Sequence, residues 1–448
     1  MKDCRLTGAR KLYWWNPTAK TWEAVFPLEG PTGTPACLSA TLSSTSSPTI
    51  AQLTATVFAP GTAPLSATRV FGETPDATAA AELERAFPAA SDACPGSRSV
   101  VIATTGGFQD ALSSQFLAQY LTTGTLLTPT KSLSVATVAA LKKEGISSVY
   151  LVGGPLAITT TVAKAIGALP AYGCGGTSPS GTISVHRVFG KTQYATAMAV
   201  AELVGKAPSL SFGGAYQGTN PTGGTGAYND TAGLGTAAPS GSVPTAILVS
   251  GQEFQDAQAA SVIAYHTHLP LLLTPATTLS PTALGAIEKL GIKQVVLVGG
   301  PLAVSNAVEA ALVEKTGVSV LRIAGTDYTD TAAELARFEV AGSTAGLGWT
   351  PGHRVLVARG NGFTDGLAGA VLENPHDTAT GSATTARPLL LTESPTLLGA
   401  PLTTLLEVTG HSGIDATASK AITKLTVLGG PLALSTAAVA SMETDLGH

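Results

Sequence analysis

At 448 residues, the chain is long enough for two to four domains of ordinary size. Only 12% of it is Asp, Glu, Lys or Arg, roughly half the usual share of about 25%, and the net charge is −4. That balance excludes the clustered cationic field of a nucleic-acid binder, and no apolar run reaches the roughly 20 residues that cross a bilayer as a helix.

In chain order, residues 1–60 stand apart. The opening MKDCRLTGARKLYWW lacks the apolar stretch and cleavage site of a signal peptide, so an exported protein would carry this sequence as a mature or trimmed form. Trp14, Trp15 and Trp22 crowd into the first turns of the sequence, and LSATLSSTSSPTIAQLTATVFA has β-type composition without helical periodicity. A small β segment is predicted over 1–60, with a linker over 60–67. Four cysteines, Cys4, Cys37, Cys94 and Cys174, show no C-x-x-C spacing. They are read as two disulfides, Cys4–Cys37 and Cys94–Cys174, in an oxidising location, against the alternative of four unpaired thiols.

From residue 69 onward the chain repeats itself. Each copy opens with an arginine phrase: RVFGETPDATAAAELERAF, RVFGKTQYATAMAVAELV and RIAGTDYTDTAAELARF. An apolar run ending near an aspartate follows: VVIATTGGFQDAL, AILVSGQEFQDAQ and VLVARGNGFTDGL. Then come TLLTPT, PLLLTPA and PLLLTES, a helix-like stretch, and SVYLVGGPLAIT, VVLVGGPLAVS or LTVLGGPLALS. The offsets between copies differ from landmark to landmark, so these are whole units with variable loops rather than a short-period solenoid. TAAAELERA is rich in helix formers, whereas SVVIA is a short continuous apolar run of the kind buried on both faces of a parallel sheet. Strand and helix alternate, which predicts an α/β fold. The expected modules are 69–182, 183–319 and 320–448, with a Gly-rich insertion between 205 and 241 in the second.

Three sets of residues are candidates for chemistry. Gly153-Gly154, Gly299-Gly300 and Gly429-Gly430 could cradle a phosphate, but neither G-x-G-x-x-G nor a following Lys-Ser/Thr is present. A tight turn at the end of a core strand, with proline in the first turn of the next helix, accounts for them without a ligand. Asp110, Asp256 and Asp365 each precede a helix-like stretch, which suits helix capping or contact with a ligand better than catalysis. His186, His266 and His268 lack a third metal ligand nearby and are read as packed or solvated. No Ser-His-Asp or Cys-His set stands out, so no metal, cofactor or enzymatic activity is expected.

The ordered phrases Arg-x-x-Gly…Thr-Ala, Gly-x-x-Phe-x-Asp, Pro-Leu-Leu-Leu-Thr and Gly-Gly-Pro-x-Ala resemble the cell wall binding repeat 2 family of Gram-positive surface proteins. The resemblance implies three Rossmann-like or toprim-like modules packed around a pseudo-threefold axis. It also implies non-covalent, non-catalytic attachment to an anionic cell-wall polymer, hence an extracellular protein of the wall or cell surface, with neither nucleic acid nor membrane insertion. The leading ligand contacts are then Arg69, Arg187 and Arg322, with Asp110, Asp256 and Asp365 beside them. The sequence departs from the family opening at one place: a second arginine is replaced by Pro75, Gln193 and Tyr328. The other reading is a structural protein that assembles with copies of itself into a surface layer or filament.

Overall fold

The computed structural model describes residues 66–87, 98–173, 178–210, 241–341, 346–350, 354–373, 386–412, 422 and 424–445. Ahead of these it describes 2–3, 11–16, 21–25, 29–32, 37–39, 44, 48–49 and 58–61. The first residues form β1 (Lys2–Asp3), β2 (Lys11–Asn16), β3 (Thr21–Ala24), β4 (Glu29–Thr32), β5 (Cys37–Ser39) and β6 (Phe58–Gly61). They make two small antiparallel sheets, ordered β1-β5-β4 and β3-β2-β6. Trp14 is fully buried and Trp15 lies opposite Trp22 in the ladder, which accounts for the clustered tryptophans. Cys37 opens β5. Cys4, Cys94 and Cys174 lie outside the described residues, as does 211–240 of the Gly-rich insertion, so both disulfides stay expectations of the sequence.

The rest is mixed α/β with parallel sheets. A leading pair, β7 (Ser66–Val70) and α1 (Pro75–Ala86), is followed by β8 (Ser99–Thr104), α2 (Gln109–Ser113), α3 (Gln115–Tyr120), β9 (Thr125–Thr128), α4 (Val135–Lys143), β10 (Ser148–Val152) and α5 (Thr160–Gly167). Next come β11 (Ser184–Val188), α6 (Gln193–Val204), β12 (Ser209–Leu210), β13 (Val243–Ser250), α7 (Gln255–Thr267), β14 (Leu271–Thr274), α8 (Pro281–Lys289), β15 (Gln294–Val298) and α9 (Asn306–Thr316). The third copy has β16 (Ser319–Ile323), α10 (Tyr328–Val340), β17 (Arg354–Arg359), α11 (Thr364–Ala368), β18 (Leu389–Thr392), α12 (Ala400–Ser412), β19 (Lys424–Leu428) and α13 (Thr436–Asp445). Every residue of β8 and β15 is buried, as continuous apolar runs require when helices cover both faces of a sheet.

The sheets are offset from the sequence repeats by one strand. The first is ordered β11-β10-β8-β9, so the strand just past residue 182 completes it. In the second, β16 lies beside β15, and in the third β7 pairs in parallel with β19, more than three hundred residues away. Each arginine-bearing strand thus sits in one sheet, while the helix it leads into packs on the next. Helix α1 lies on β9, α6 on β14 and α10 on β18. Those helices start where the sequence allows: Thr74, Thr192 and Asp327 cap them by accepting the N–H of Ala77, Ala195, and Thr329 with Asp330. The result is a closed ring of three interlocked sheets.

Candidate functional site

Three turns of the same build lie at the ends of β10, β15 and β19, each the floor of one candidate site. In each, the strand runs into Gly-Gly-Pro-Leu-Ala, and the first glycine has φ of +114° (Gly153), +106° (Gly299) or +94° (Gly429). That conformation suits glycine, and a second constraint adds to it: a Cβ on Gly153 would stand 2.6 Å from Asp110 Oδ2, with Asp256 and Asp365 in the same place over Gly299 and Gly429. The sequence reading of the phrase needs one correction. Pro155, Leu156 and Ala157 form a separate turn, closed by Ala157 and Ile158 N–H donating to the Gly154 carbonyl at 2.9 and 3.0 Å. The following helix starts only at Thr160, capped by Thr159, so the proline is not in its first turn.

The capping role expected of the aspartates is also overturned. Phe108, Phe254 and Phe363 occupy the cap positions without a side-chain bond, and each aspartate is in the first turn, aimed back at its glycine. The physical reason is spacing: the helices start two residues earlier than a capping aspartate needs. Burial raises the pKa of all three aspartates. A hydrogen bond from Thr196 opposes this at Asp110, and the Arg359 charge opposes it at Asp365. Asp256 is pushed up to about 6 by burial, with Asp327 and Glu253 adding to the rise against a bond from Thr331.

The three arginines converge on the same turns. Arg69 Nη1 donates to the Gly429 carbonyl at 2.8 Å, Arg187 Nη1 to Gly153 at 2.7 Å, and Arg322 Nη1 to Gly299 at 2.7 Å. Their surroundings differ. Arg69 and Arg187 are half-buried, whereas Arg322 is enclosed, 5% exposed, and bonded also to the Val304 carbonyl and to Glu309 through Nε at 2.8 Å and Nη2 at 2.7 Å. Phe189 lies against Gly154 and Phe71 against Gly430, both rings near half-exposed. Beside the clefts, Phe108, Phe254 and Phe363 meet one another with centroids 5.7, 6.1 and 5.8 Å apart, one ring from each sheet.

Sequence reading did not single out Glu309, Lys191, Arg359 or the phenylalanine triangle. Arg359 takes the place of Thr104 and Ser250 in the aligned copies, and its Nε stands 3.1 Å from Asp365 Oδ2. Alignment of the copies carries the signal for it. His186 stacks on Tyr150 with centroids 5.1 Å apart and His266 meets Trp349 edge-on at 4.9 Å. Among the described residues no group of three or more His, Cys, Asp or Glu is placed to hold a metal, and no helix is long and apolar enough to cross a membrane.

Comparison with known proteins gives a consistent pattern. The sequence profile described as Cell wall binding domain 2 (CWB2) matches residues 52–163, 187–309 and 322–439. The N-acetylmuramoyl-L-alanine amidase LytC of Bacillus subtilis (strain 168) is 38% identical over 101 residues, which is 22% of this chain and 20% of that enzyme. Among solved structures, Cwp8 from Clostridium difficile superposes with a TM-score of 0.58 at 20% identity, over 85% of this chain and 52% of its own. Cwp6 from Clostridium difficile gives 0.60 at 16% identity, over 87% and 49%. The chain therefore spans about half the length of these two structures and a fifth of the amidase.

Proposed function

The chain belongs to the cell wall binding domain 2 family, and from that premise we propose that it holds an anionic wall polymer, without catalysis, in the clefts between its sheets. Family membership makes it a cell-wall-binding protein of the wall or cell surface. The carrying observation is the threefold recurrence of one cleft, each setting an arginine from one repeat over the Gly-Gly-Pro turn of the repeat before it. The phenylalanine triangle supports a pseudo-threefold axis through the ring. An enzymatic role has little support in these turns, where each aspartate packs on glycine and the threonine hydroxyls beside Asp110 and Asp256 are tied to the Gly190 and Gly325 N–H groups. The matched part of the amidase is only a fifth of that protein.

Sedimentation with purified Gram-positive walls, before and after removal of their anionic polymer, tests this reading. Binding is expected to intact walls, to be lost on stripped walls, and to weaken as salt screens the few local cations of a chain with net charge −4. Equal binding to stripped walls would refute the polymer as ligand. One observation favours the second reading, self-assembly: Leu156, Leu302 and Leu432 stand 95, 98 and 94% exposed on the three turns. Regular arrays of the purified protein under the electron microscope, without wall binding, would establish that reading instead.

A further inference from the structure

The three clefts share a plan but not a charge. Around Arg322 every cation is matched or exceeded. Its guanidinium is held by Glu309, the two side chains being 1 and 2% exposed, and the aligned turn positions carry Asp256, Glu253, Asp327 and Asp330. Burial raises the Asp256 pKa, and the charges of Asp327 and Glu253 add to the rise. Around Arg69 the cations are Arg69 and Arg359, opposed by Asp365, Glu73 and Asp76, and Arg359 stands against Asp365. Around Arg187 the balance reverses. Asp110 stands over Gly153 as its equivalents do, but position 253 is matched by Gly107, position 327 by Thr192, and position 330 by Ala195, while Lys191 stands exposed in the turn between β11 and α6.

Two further facts mark this cleft. Helix α6, twelve residues long, has no acid in its first turn, whereas α1 and α10 carry Asp76 and Asp330 there and so spend their N-terminal dipole on their own side chains. Independently, Nη2 of both Arg187 and Arg322 is buried without a hydrogen bond, but Arg322 Nη2 has the Glu309 carboxylate 2.7 Å away, whereas Arg187, held on Gly153 through Nη1 at 2.7 Å, has no carboxylate in that place. An unpartnered guanidinium nitrogen costs free energy in the unliganded protein, and an oxyanion from outside would satisfy it.

We propose that the clefts are unequal, and that the one formed by Arg187, Lys191 and the start of α6 is the principal seat for the anionic groups of the polymer, while the Arg322 cleft is closed to them. This rests on the polymer-binding reading above and deepens it. The chemistry recognised is a repeated oxyanion, a phosphodiester or a carboxylate, flanked by an apolar face that suits the exposed Phe189 ring.

Titration of the full chain with inorganic polyphosphate and with polygalacturonate, alongside intact walls, separates the two oxyanions. Lys191→Glu is expected to weaken binding to walls roughly tenfold at low salt, because it reverses a charge beside the bound oxyanion. Lys315→Glu, the same change of net charge on exposed α9, is expected to leave it within twofold. Arg187→Lys keeps a cation in the cleft but loses the fork, and is expected to weaken binding with the protein folded by circular dichroism. Arg69→Gln is expected to cost less than either. Wild-type binding to walls with Lys191→Glu and Arg187→Lys unchanged would overturn the unequal clefts while leaving the polymer reading intact, as would an equal loss from Arg69→Gln. A wild type that ignores intact walls and both polyanions would overturn the polymer reading itself.

Discussion

At the scale of single residues, equivalent positions have taken on different work. Arg322 and Glu309 form a buried pair where Arg69 and Arg187 keep contact with solvent. Removing one member of such a pair strands the other charge, so Arg322→Leu should lower unfolding free energy by about 3–5 kcal/mol. The double variant Arg322→Leu/Glu309→Leu should recover most of that loss in urea denaturation, because no unpaired charge remains. If the double variant is no better than the single, the bonds from Arg322 to the Gly299 and Val304 carbonyls, at 2.7 and 2.8 Å, carry the stabilisation. Gly-Gly-Pro shows what was legible at this scale. Its repetition marked the end of a core strand, but nothing in the sequence showed that a carboxylate from another loop lies against the first glycine. That contact depends on residues 43 to 64 positions apart meeting in the fold, such as Asp110 with Gly153 and Asp365 with Gly429.

At the scale of elements, helices α1, α6 and α10 are the joints between sheets, and one of the core positions at which they differ carries a charge-bearing group. Glu82 on α1 is fully buried, and neither carboxyl oxygen has a hydrogen-bond partner, where α6 has Val200 and α10 has Leu335. Burial raises the Glu82 pKa well above the ordinary carboxylate value, and nearby Asp365 adds to the rise. A raised acid pKa means the folded chain holds a proton that the unfolded chain releases. That contribution is complete below the unfolded value of 4.5 and is lost as pH climbs through the folded one. Asp256, raised from 3.8 to about 6, acts in the same direction across that window. Glu82→Leu should therefore flatten the fall of the thermal midpoint between pH 5 and pH 8, and raise unfolding free energy at pH 7.5 by about 1–3 kcal/mol. An unchanged pH profile would mean that Glu82 has no share in the slope. Strands and helices of the repeats were readable because their apolar runs and capping residues agree locally. The one-strand offset of the sheets was not, because a parallel strand reads the same in either neighbouring sheet.

At the scale of the whole molecule, the first copy is joined to the third sheet where β7 meets β19, in the register Ser66–Lys424 to Val70–Leu428. Val70 is buried in the main core, so Val70→Asp, which sets a charge there, should cost at least ~2 kcal/mol. Hydrogen exchange should show amides of β17 and β19 losing protection before those of β8 and β13. Uniform loss in all three sheets would indicate a ring that opens as a unit. The Ala67 N–H also donates to Glu443 Oε1 on α13 at 3.1 Å, so the closing strand is clasped from two sides. This clasp has a mechanical side. A pull transmitted through the chain before β7 and the chain after β19 acts on parallel neighbours in opposite senses. It therefore loads the bonds of the ladder together, in shear, instead of peeling them one at a time. On a surface exposed to flow, the seam holding a tethered body shut would be the one that bears the tension.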